Sequence, residues 1–522
     1  MNVEYLIKKA VGEFPENVAI VDGNVRFTFQ ELNNRVNRIA NAIVKMGIKK
    51  GDRAGILLEN CHQFIEIDFA LSKTGIVRVP LNSRLSAPDH TYLLNDSESN
   101  VLIFGEKFYD VVQHMRKELK TVKNYICISE ERLKENSLNA LYYEELVEQN
   151  SAAEPDIEIT EEDLHTLFYT SGTTGKPKGV MLTQKSWVNV AINILLNYGP
   201  ITRNDIILNL QPLSHGAGFF VLPFFMQGAT NVLVEFTPRR VFETIYKERV
   251  TVLKLVPIML YRLMDAPEKE EYDLSSLTHI IYGGSPIAQP RLVEALRFFG
   301  PKLSQLYGQA EIPMCISTLS REDHVLKDSE EERKGLNSAG KPCTNVEVKI
   351  VDEKGKELKS GEIGEVIAKG YHSMKGYWKL PEATAETLKD GWVYTGDLGY
   401  MDSKGFLFLV DRKKDLIISG AFNVYPAEVE NVIITHPAVK EAVVIGVPDD
   451  TWGEAVKAIV VLKKGSDVTD QGIIKFCKDK GLEFKSPKSI DFVEKIPRNP
   501  YGKIDKKTLR EPYWKGHERA IH

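Results

Sequence analysis

The amino-acid sequence predicts an α/β protein of more than one domain, and three observations carry that expectation. Apolar runs alternate with segments of helical period through most of the first 310 residues, which is the pattern of parallel βαβ units. After about residue 340 short alternating strands with glycine turns take over, as in 345–351 and 364–368. Past 406–410 the charge run Asp411, Arg412, Lys413, Lys414, Asp415 leads into a shorter α+β segment. A chain of 522 residues is too long for one core, and charged exposed linkers are where few contacts cross. The expected fold class is α/β. A large N-terminal domain of mixed, mostly parallel sheets with helices spans residues 1–412, with a small β-rich subdomain at about 335–410. A small, mobile α+β C-terminal domain spans 413–522.

The individual elements follow in order. Residues 53–58 read as a strand, 62–73 as a helix stopped by Gly75, and 77–81 as the next strand. Runs 101–104 and 125–128 flank a helical segment, followed later by 231–236, a helix around 241–248, then 252–256 and 279–282. These runs show little polar alternation, as expected for strands buried on both faces between helix layers.

Composition narrows the function classes. The chain is 43% hydrophobic and 27% charged, ordinary values for a soluble globular protein. Its net charge of −5 argues against a protein dedicated to nucleic acid. Residues 478–510 are the local exception, with ten Lys/Arg against five Asp/Glu; this reads either as a solvated surface or as a site for a polyanion. Cys61, Cys127, Cys315, Cys343 and Cys477 are scattered without zinc-type spacing, so reduced thiols are expected. No apolar core follows Lys8 and Lys9 as in a signal peptide, and the longest apolar candidate, 216–225, is short and broken by Pro223. A cytoplasmic enzyme without an integral membrane segment is the expectation.

Residues 169–179, YTSGTTGKPKG, hold three glycines, four Ser/Thr and two lysines directly after the apolar run 164–168. Glycine lets backbone N–H groups approach an anion, hydroxyls add donors or a metal ligand, and lysine adds positive charge. A Walker A loop would place Ser or Thr after its lysine and open a helix there. Pro177 follows Lys176 instead, and proline neither donates an N–H nor lets the preceding residue go helical. By composition alone the stretch also reads as a solvated linker.

Further segments make sense if that loop holds ATP. LYGQAE places Glu311 just past a strand and a tight Tyr-Gly turn, where a carboxylate beside triphosphate suits Mg²⁺. YTGDL offers Asp397 to ribose hydroxyls, DRKKD offers Arg412, and PRNPYGKI exposes Lys503 on a loop pinned by proline and glycine. Each is usually just a turn. In this order, over some 330 residues, YTSGTTGKPKG, LYGQAE, YTGDL, DRKKDLI and PRNPYGKI resemble the core motifs of the adenylate-forming superfamily. That superfamily contains acyl-CoA synthetases, peptide-synthetase adenylation domains and beetle luciferases, and the likeness is greatest to a fatty-acid CoA ligase.

The resemblance implies a role for each matching position. Thr170, Ser171, Gly172, Thr173, Thr174, Gly175, Lys176 and Lys178 would embrace the β- and γ-phosphates of ATP, with Thr170 and Glu311 placing Mg²⁺. Gly283, Gly284, Ser285 and Tyr307 would flank adenine, with Gly308 in the same Tyr-Gly turn, and Asp397 and Arg412 would bind ribose. Lys503 would bridge the carboxylate and the α-phosphate, a fixed cation where charge builds in phosphoryl transfer. Lys414 matches a hinge about which the C-terminal domain rotates. Two positions depart from the pattern. Ala310 stands where Thr or Ser is usual, and Ala421, after Gly420, stands where a second glycine lines the pantetheine tunnel.

The acyl pocket is expected from residues 212–225, the turn at Gly283 and the strand before Tyr307, with His215 at its mouth. His215 alone also reads as a turn histidine. No carboxylate or arginine appears in that set, so a hydrophobic acid is expected. The expected reaction is carboxylate plus ATP giving acyl-AMP and pyrophosphate, then transfer to CoA with release of AMP. A medium- or long-chain fatty acid is the first choice of substrate and an aryl acid the second. The expected partners are the acid, ATP and CoA, with no nucleic acid; a carrier protein as acceptor and a homodimer stay open.

Overall fold

Runs of Val, Ile and Leu without polar alternation become strands covered on both faces. The computed structural model describes residues 1–133, 135–170, 176–326, 334–420, 422–498 and 504–515. The chain divides into two compact units, Met1–Val348 with Ala368–Val393, and Lys349–Ile367 with Tyr394–His522.

The first unit holds two large sheets. In one, six mutually parallel strands lie in the order Val18–Asp22, Thr230–Leu233, Ile206–Asn209, Val252–Leu255, His279–Gly283 and Leu303–Gln309. Antiparallel strands close both edges: Val25–Thr28 at one, Ile312–Leu319 and then Lys341–Pro342 at the other. In the second sheet Leu164–Thr170, Val77–Pro80, Arg53–Leu57, Val101–Gly105, Asn124–Ile128 and Leu141–Tyr142 run parallel. Lys178–Thr183 and Gly376–Tyr377 are added antiparallel beside Leu164–Thr170. The helix His62–Thr74 ends as expected at Gly75, which takes φ +64°, the left-handed conformation glycine adopts freely. The run expected as a strand over 231–236 pairs only to Leu233, because Thr237 leaves the sheet to cap the helix Pro238–Glu248, its hydroxyl accepting from Arg240 N.

In the second unit the strands Phe422–Val424, Ile417–Ser419, Gly453–Leu462 and Val439–Asp449 pair in that order, with Ser489–Phe492 also on Gly453–Leu462. The helices Pro426–Ile433 and Asp470–Asp479 bury Val429, Ile433, Ile473 and Ile474 against that sheet. Short strands Val346–Val351, Gly364–Gly370, Trp392–Met401 and Leu407–Arg412 form the β-rich stretch. The architecture is thus the α/β class expected.

The apolar run at 216–225 folds as the helix Gly218–Met226, with Pro223 inside it. Burial holds it: Phe219 stacks on Trp187 at 4.4 Å and Phe225 on Phe29 at 4.3 Å, and Phe220 and Phe224 are fully enclosed. No helix among the described residues is long and apolar enough to cross a membrane.

One polar knot lies inside the first unit. Lys73, fully buried, donates from Nζ to Asn33 Oδ1 (2.6 Å), Asn37 Oδ1 (2.8 Å) and Glu154 Oε2 (2.7 Å). It ties the helices Phe29–Lys45 and His62–Thr74 to the segment around residue 154. Lys73→Met strands two buried amides, while the partly exposed Glu154 regains water. The expected loss in a urea unfolding titration is roughly 2–4 kcal/mol.

Candidate active site

The glycine-rich loop grows out of a β-hairpin. Thr170, half-buried at the end of Leu164–Thr170, pairs with Lys178, and Tyr169 pairs with Gly179. Ser171, Gly172, Thr173, Thr174 and Gly175 lie outside the described residues. The entry to the loop is anchored: Tyr169 Oη donates to Asp96 Oδ2 at 2.6 Å. Burial, and then the Asp96 charge, push that hydroxyl's pKa far up, so it stays a donor. On the exit side Lys176 Nζ sits 5.2 Å over the Tyr92 ring, and Tyr92 Oη donates to the Pro177 carbonyl at 3.1 Å.

The added strand Gly376–Tyr377 brings a residue that no sequence motif singled out. Tyr377 pairs with Val180, and Trp378 N donates to the Gly179 carbonyl at 2.8 Å. Gly179 permits that approach, since a Cβ there would lie 3.1 Å from the Tyr169 ring and 3.3 Å from Trp378 Cβ. Lys178 Nζ lies 5.0 Å over the Tyr377 ring, and Tyr377 Oη donates to Glu311 Oε1 at 2.7 Å. Burial, then the Glu311 charge, raise the Tyr377 pKa, which keeps the phenol protonated and donating. Glu311, Lys178 and the hairpin that carries Thr170 are thereby gathered at one place.

Glu311 itself is positioned differently from expectation. Its strand runs through Gly308 to Gln309, and the turn is Ala310 and Glu311, leading into Ile312–Leu319. The register shifts between Tyr307 and Gln309, and Gly308 is needed because a Cβ there would lie 2.6 Å from Met314 N. Tyr307 pairs with Ser317 two positions before Gln309. On the neighbouring strand Gly283 pairs with Leu306, where a Cβ would meet the Leu306 carbonyl at 2.4 Å. Gly284, at φ +82°, and Ser285 follow, both exposed. These lie at the carboxyl ends of parallel strands, where ligands bind in open α/β sheets.

His215 lies in the turn before the helix Gly218–Met226, its N donating to the Pro212 carbonyl at 2.9 Å and its ring set edgewise on Phe168 at 5.9 Å. The segment 212–225 does not contribute all its aromatics to a pocket, as expected from sequence. Phe225 packs on Phe29 and on Phe69 (4.8 Å) in the core, Phe219 stacks on Trp187, and Phe168 lies between the His215 ring (5.9 Å) and Phe219 (5.7 Å).

Behind that turn stands a second residue not anticipated from sequence. Lys254, in the strand Val252–Leu255, is only 6% exposed, donates to Gln211 Oε1, and lies 5.9 Å from the Phe220 ring. Burial pulls its pKa down to about 7. A charge inside the unbroken run VLKLV was the available signal, since a strand covered on both faces should carry none.

In the second unit Asp397 and Arg412 are cross-strand partners, with Arg412 Nε 3.0 Å from Asp397 Oδ1. Asp397 is buried, and Thr395 shapes its turn by accepting from Asp397 N and donating to the Val366 carbonyl at 2.6 Å. Lys414 sits in the single turn Lys413–Asp415. That turn is held by Asp415 to Arg510 (2.7 Å), and beside it Lys506 reaches Glu430 (2.8 Å). Gly420 takes φ +65° and sits against the Trp452 ring. Ala421 and Lys503 lie outside the described residues; on either side of the latter, Arg498 and Ile504 pair antiparallel.

A model of the AMP-binding enzyme family matches residues 7–378, and one of the AMP-binding enzyme C-terminal domain matches 428–503. The chain belongs to the AMP-binding enzyme family. Its curated relatives include a medium/long-chain-fatty-acid–CoA ligase of Mycobacterium tuberculosis, 37% identical over 96% of this chain and 88% of that one. A fatty acid–[acyl-carrier-protein] ligase of Streptomyces coeruleorubidus is 34% identical over 97% of this chain and 96% of that one. Among solved structures, an amide bond synthetase from Marinactinospora thermotolerans superposes with a TM-score of 0.88 at 29% identity, over 98% of this chain and 100% of the other.

In this AMP-binding enzyme Tyr377→Phe removes the hydroxyl that donates to Glu311. Acid-dependent pyrophosphate release should fall roughly 10- to 100-fold in kcat/KM, the value of a hydrogen bond to a charged acceptor, while the thermal midpoint stays close to that of the parent.

Proposed function

We propose that the protein is an ATP-dependent, AMP-forming acyl-CoA ligase for an acid with a hydrophobic body. The observation that carries this reading is the convergence of Glu311, oriented by Tyr377, with Lys178 and the hairpin flanks of the glycine-rich loop. The fatty-acid–CoA ligase relative supports the same reading and favours a medium- or long-chain fatty acid, with an aryl acid as the second choice.

A carboxylate is a poor electrophile until one oxygen becomes a leaving group, so the reaction divides in two. In the first half the substrate carboxylate attacks the α-phosphorus of ATP; a new C–O–P linkage forms and pyrophosphate departs. Thr170, Lys176, Lys178 and residues 171–175 hold the departing phosphates through donors and positive charge. Lys503 stabilises charge at the α-phosphate. Asp397 accepts from the ribose hydroxyls, fixed in place by Arg412. Gly283, Gly284, Ser285 and Tyr307 form the adenine slot at the strand ends. Thr170 and Glu311 offer the hard oxygen donors that fit Mg²⁺, which when bound screens the triphosphate charge. In the second half the CoA thiol attacks the acyl carbon and AMP leaves. Residues 413–522 are the mobile domain, turning about Lys414 so that first Lys503 and then the segment around Gly420 and Ala421 faces the reacting centre. The carrier-protein ligase among the relatives supports a second reading, in which a carrier's thiol replaces CoA.

Pyrophosphate release with a panel of acids, followed by mass detection of acyl-CoA, tests the proposal: both products are expected, and no acid-dependent pyrophosphate refutes it. The halves also separate by mutation. Lys503→Ala should slow acyl-AMP formation by ~100-fold or more and leave conversion of pre-formed acyl-AMP to acyl-CoA within a few-fold. Lys414→Pro, which fixes φ near −65° in the turn, should spare the first half and impair the second. Equal loss in both halves for either variant contradicts the two-position mechanism.

A further inference from the structure

Four cations are buried among the described residues, Lys73, Arg78, Lys254 and Lys457. Three have a carboxylate of their own: Glu154 for Lys73, Asp68 for Arg78 and Asp491 for Lys457. Lys254 has none among the described residues, and its polar partner is the neutral Gln211. A buried ammonium without a counter-charge is costly.

Its position says where the counter-charge enters. In register Lys254 pairs with Ile281, two positions before Gly283 on the same face of the sheet, about 7 Å along the strand from the Gly283 row at ~3.3 Å per residue. The side chain rises toward the turn that carries His215: a Cβ on Gly216 would lie 2.8 Å from Nζ, with Gln211 Oε1 and Met314 Cε each at 3.8 Å. Gly216 therefore lets the His215 turn lie directly against the ammonium, where a Cβ on any other residue would push Nζ aside. Phe220, Ile281 and Met314 make the surrounding wall apolar.

We propose that Lys254 is a specificity-determining residue of the acyl pocket, pairing with a second carboxylate on the substrate, so that the preferred acid is a dicarboxylic acid with a hydrophobic spacer. This rests on the acyl-CoA ligase reading. One carboxylate meets ATP at the strand ends, and the other, deeper in the pocket, supplies the charge that the chain withholds from Lys254. The reading narrows the substrate from a plain fatty or aryl acid to one with a far anionic group, and it makes Gln211 the residue that orients the ammonium.

The test is pyrophosphate release by the full-length chain with α,ω-dicarboxylic acids of increasing length, each paired with the monocarboxylic and ω-hydroxy acids of the same length. The wild-type protein should prefer one diacid over its matched monoacid. Lys254→Met, which keeps the aliphatic stem, should lower kcat/KM for that diacid by roughly 30-fold or more, as when one partner of a buried charge pair is removed, and leave the monoacid within a few-fold. A wild-type preference for monoacids or hydroxy acids overturns the proposal without any variant having to fold, as does a Lys254→Met effect of equal size on diacid and monoacid. Turnover of monoacids alone thus refutes the role of Lys254 while preserving the ligase reading, whereas the absence of pyrophosphate with every acid refutes both.

Discussion

The hydrogen bond from Tyr377 to Glu311 joins the two large sheets of the first unit where Glu311 meets Lys178 and the flanks of the glycine-rich loop. Tyr377 belongs to the edge of the sheet that carries the glycine-rich loop, and Glu311 to the turn at the edge of the other. A second bond, from Met374 N to the Glu311 carbonyl at 2.8 Å, fixes the backbone of that turn as well as its side chain. The rest follows from this junction. Gly179 must be small so that the Gly376–Tyr377 strand can lie close, and Gly308 must be small so that the Ala310–Glu311 turn can fold back on Met314. Tyr169 and Trp378 both close on Asp96, through Asp96 Oδ2 and the Asp96 carbonyl, and hold the base of the hairpin against the same edge. Burial keeps both phenols protonated, so each bond has a fixed direction from tyrosine to carboxylate.

A comparable constraint shapes the second unit, where Asp397 and Arg412 are set opposite each other by strand register and need no long-range assembly. The charge run that follows is not a free linker. Asp411 accepts from Ala427 N at 2.8 Å, and Asp415 holds Arg510, so the turn around Lys414 is tied at both ends to the elements after it.

Much of this was legible in the sequence, and the limits are physical. Strands such as 101–104 and 279–282 were readable because a parallel strand under helices has no polar face to interrupt it. Gly75 was readable as a helix stop because its left-handed φ is a property of one residue. Asp397 stood out by its Gly-Asp turn and Arg412 by the charge run it sits in, and their pairing is the register of two adjacent strands. Tyr377 was not readable: it acts on Glu311 from 66 positions away, through a two-residue strand whose pairing is decided by tertiary contact. The aromatic run at 212–225 was over-read for the opposite reason, since composition does not distinguish a ring that lines a pocket from one stacked on Phe29.

Arg78 and Lys254 make the same distinction between structure and specificity. Both stand in parallel strands covered on both faces, and both break an apolar run. Arg78 is enclosed by its own partners: Asp68 for charge, Thr166 Oγ1 at 2.8 Å for Nε, and the Trp187 ring at 4.0 Å for the guanidinium face. Nothing from solution is needed to complete that set, and a planar guanidinium with a fixed fork suits such a closed site. Lys254 has a neutral amide, an aromatic edge and a glycine instead. A compact ammonium on a flexible stem is the better group where the partner arrives and leaves, because one point charge accepts many approach angles. Two buried cations in matching strands therefore differ in kind: the one with its own carboxylate holds the sheet to its helices, and the one without it is, on the proposal above, completed by the substrate.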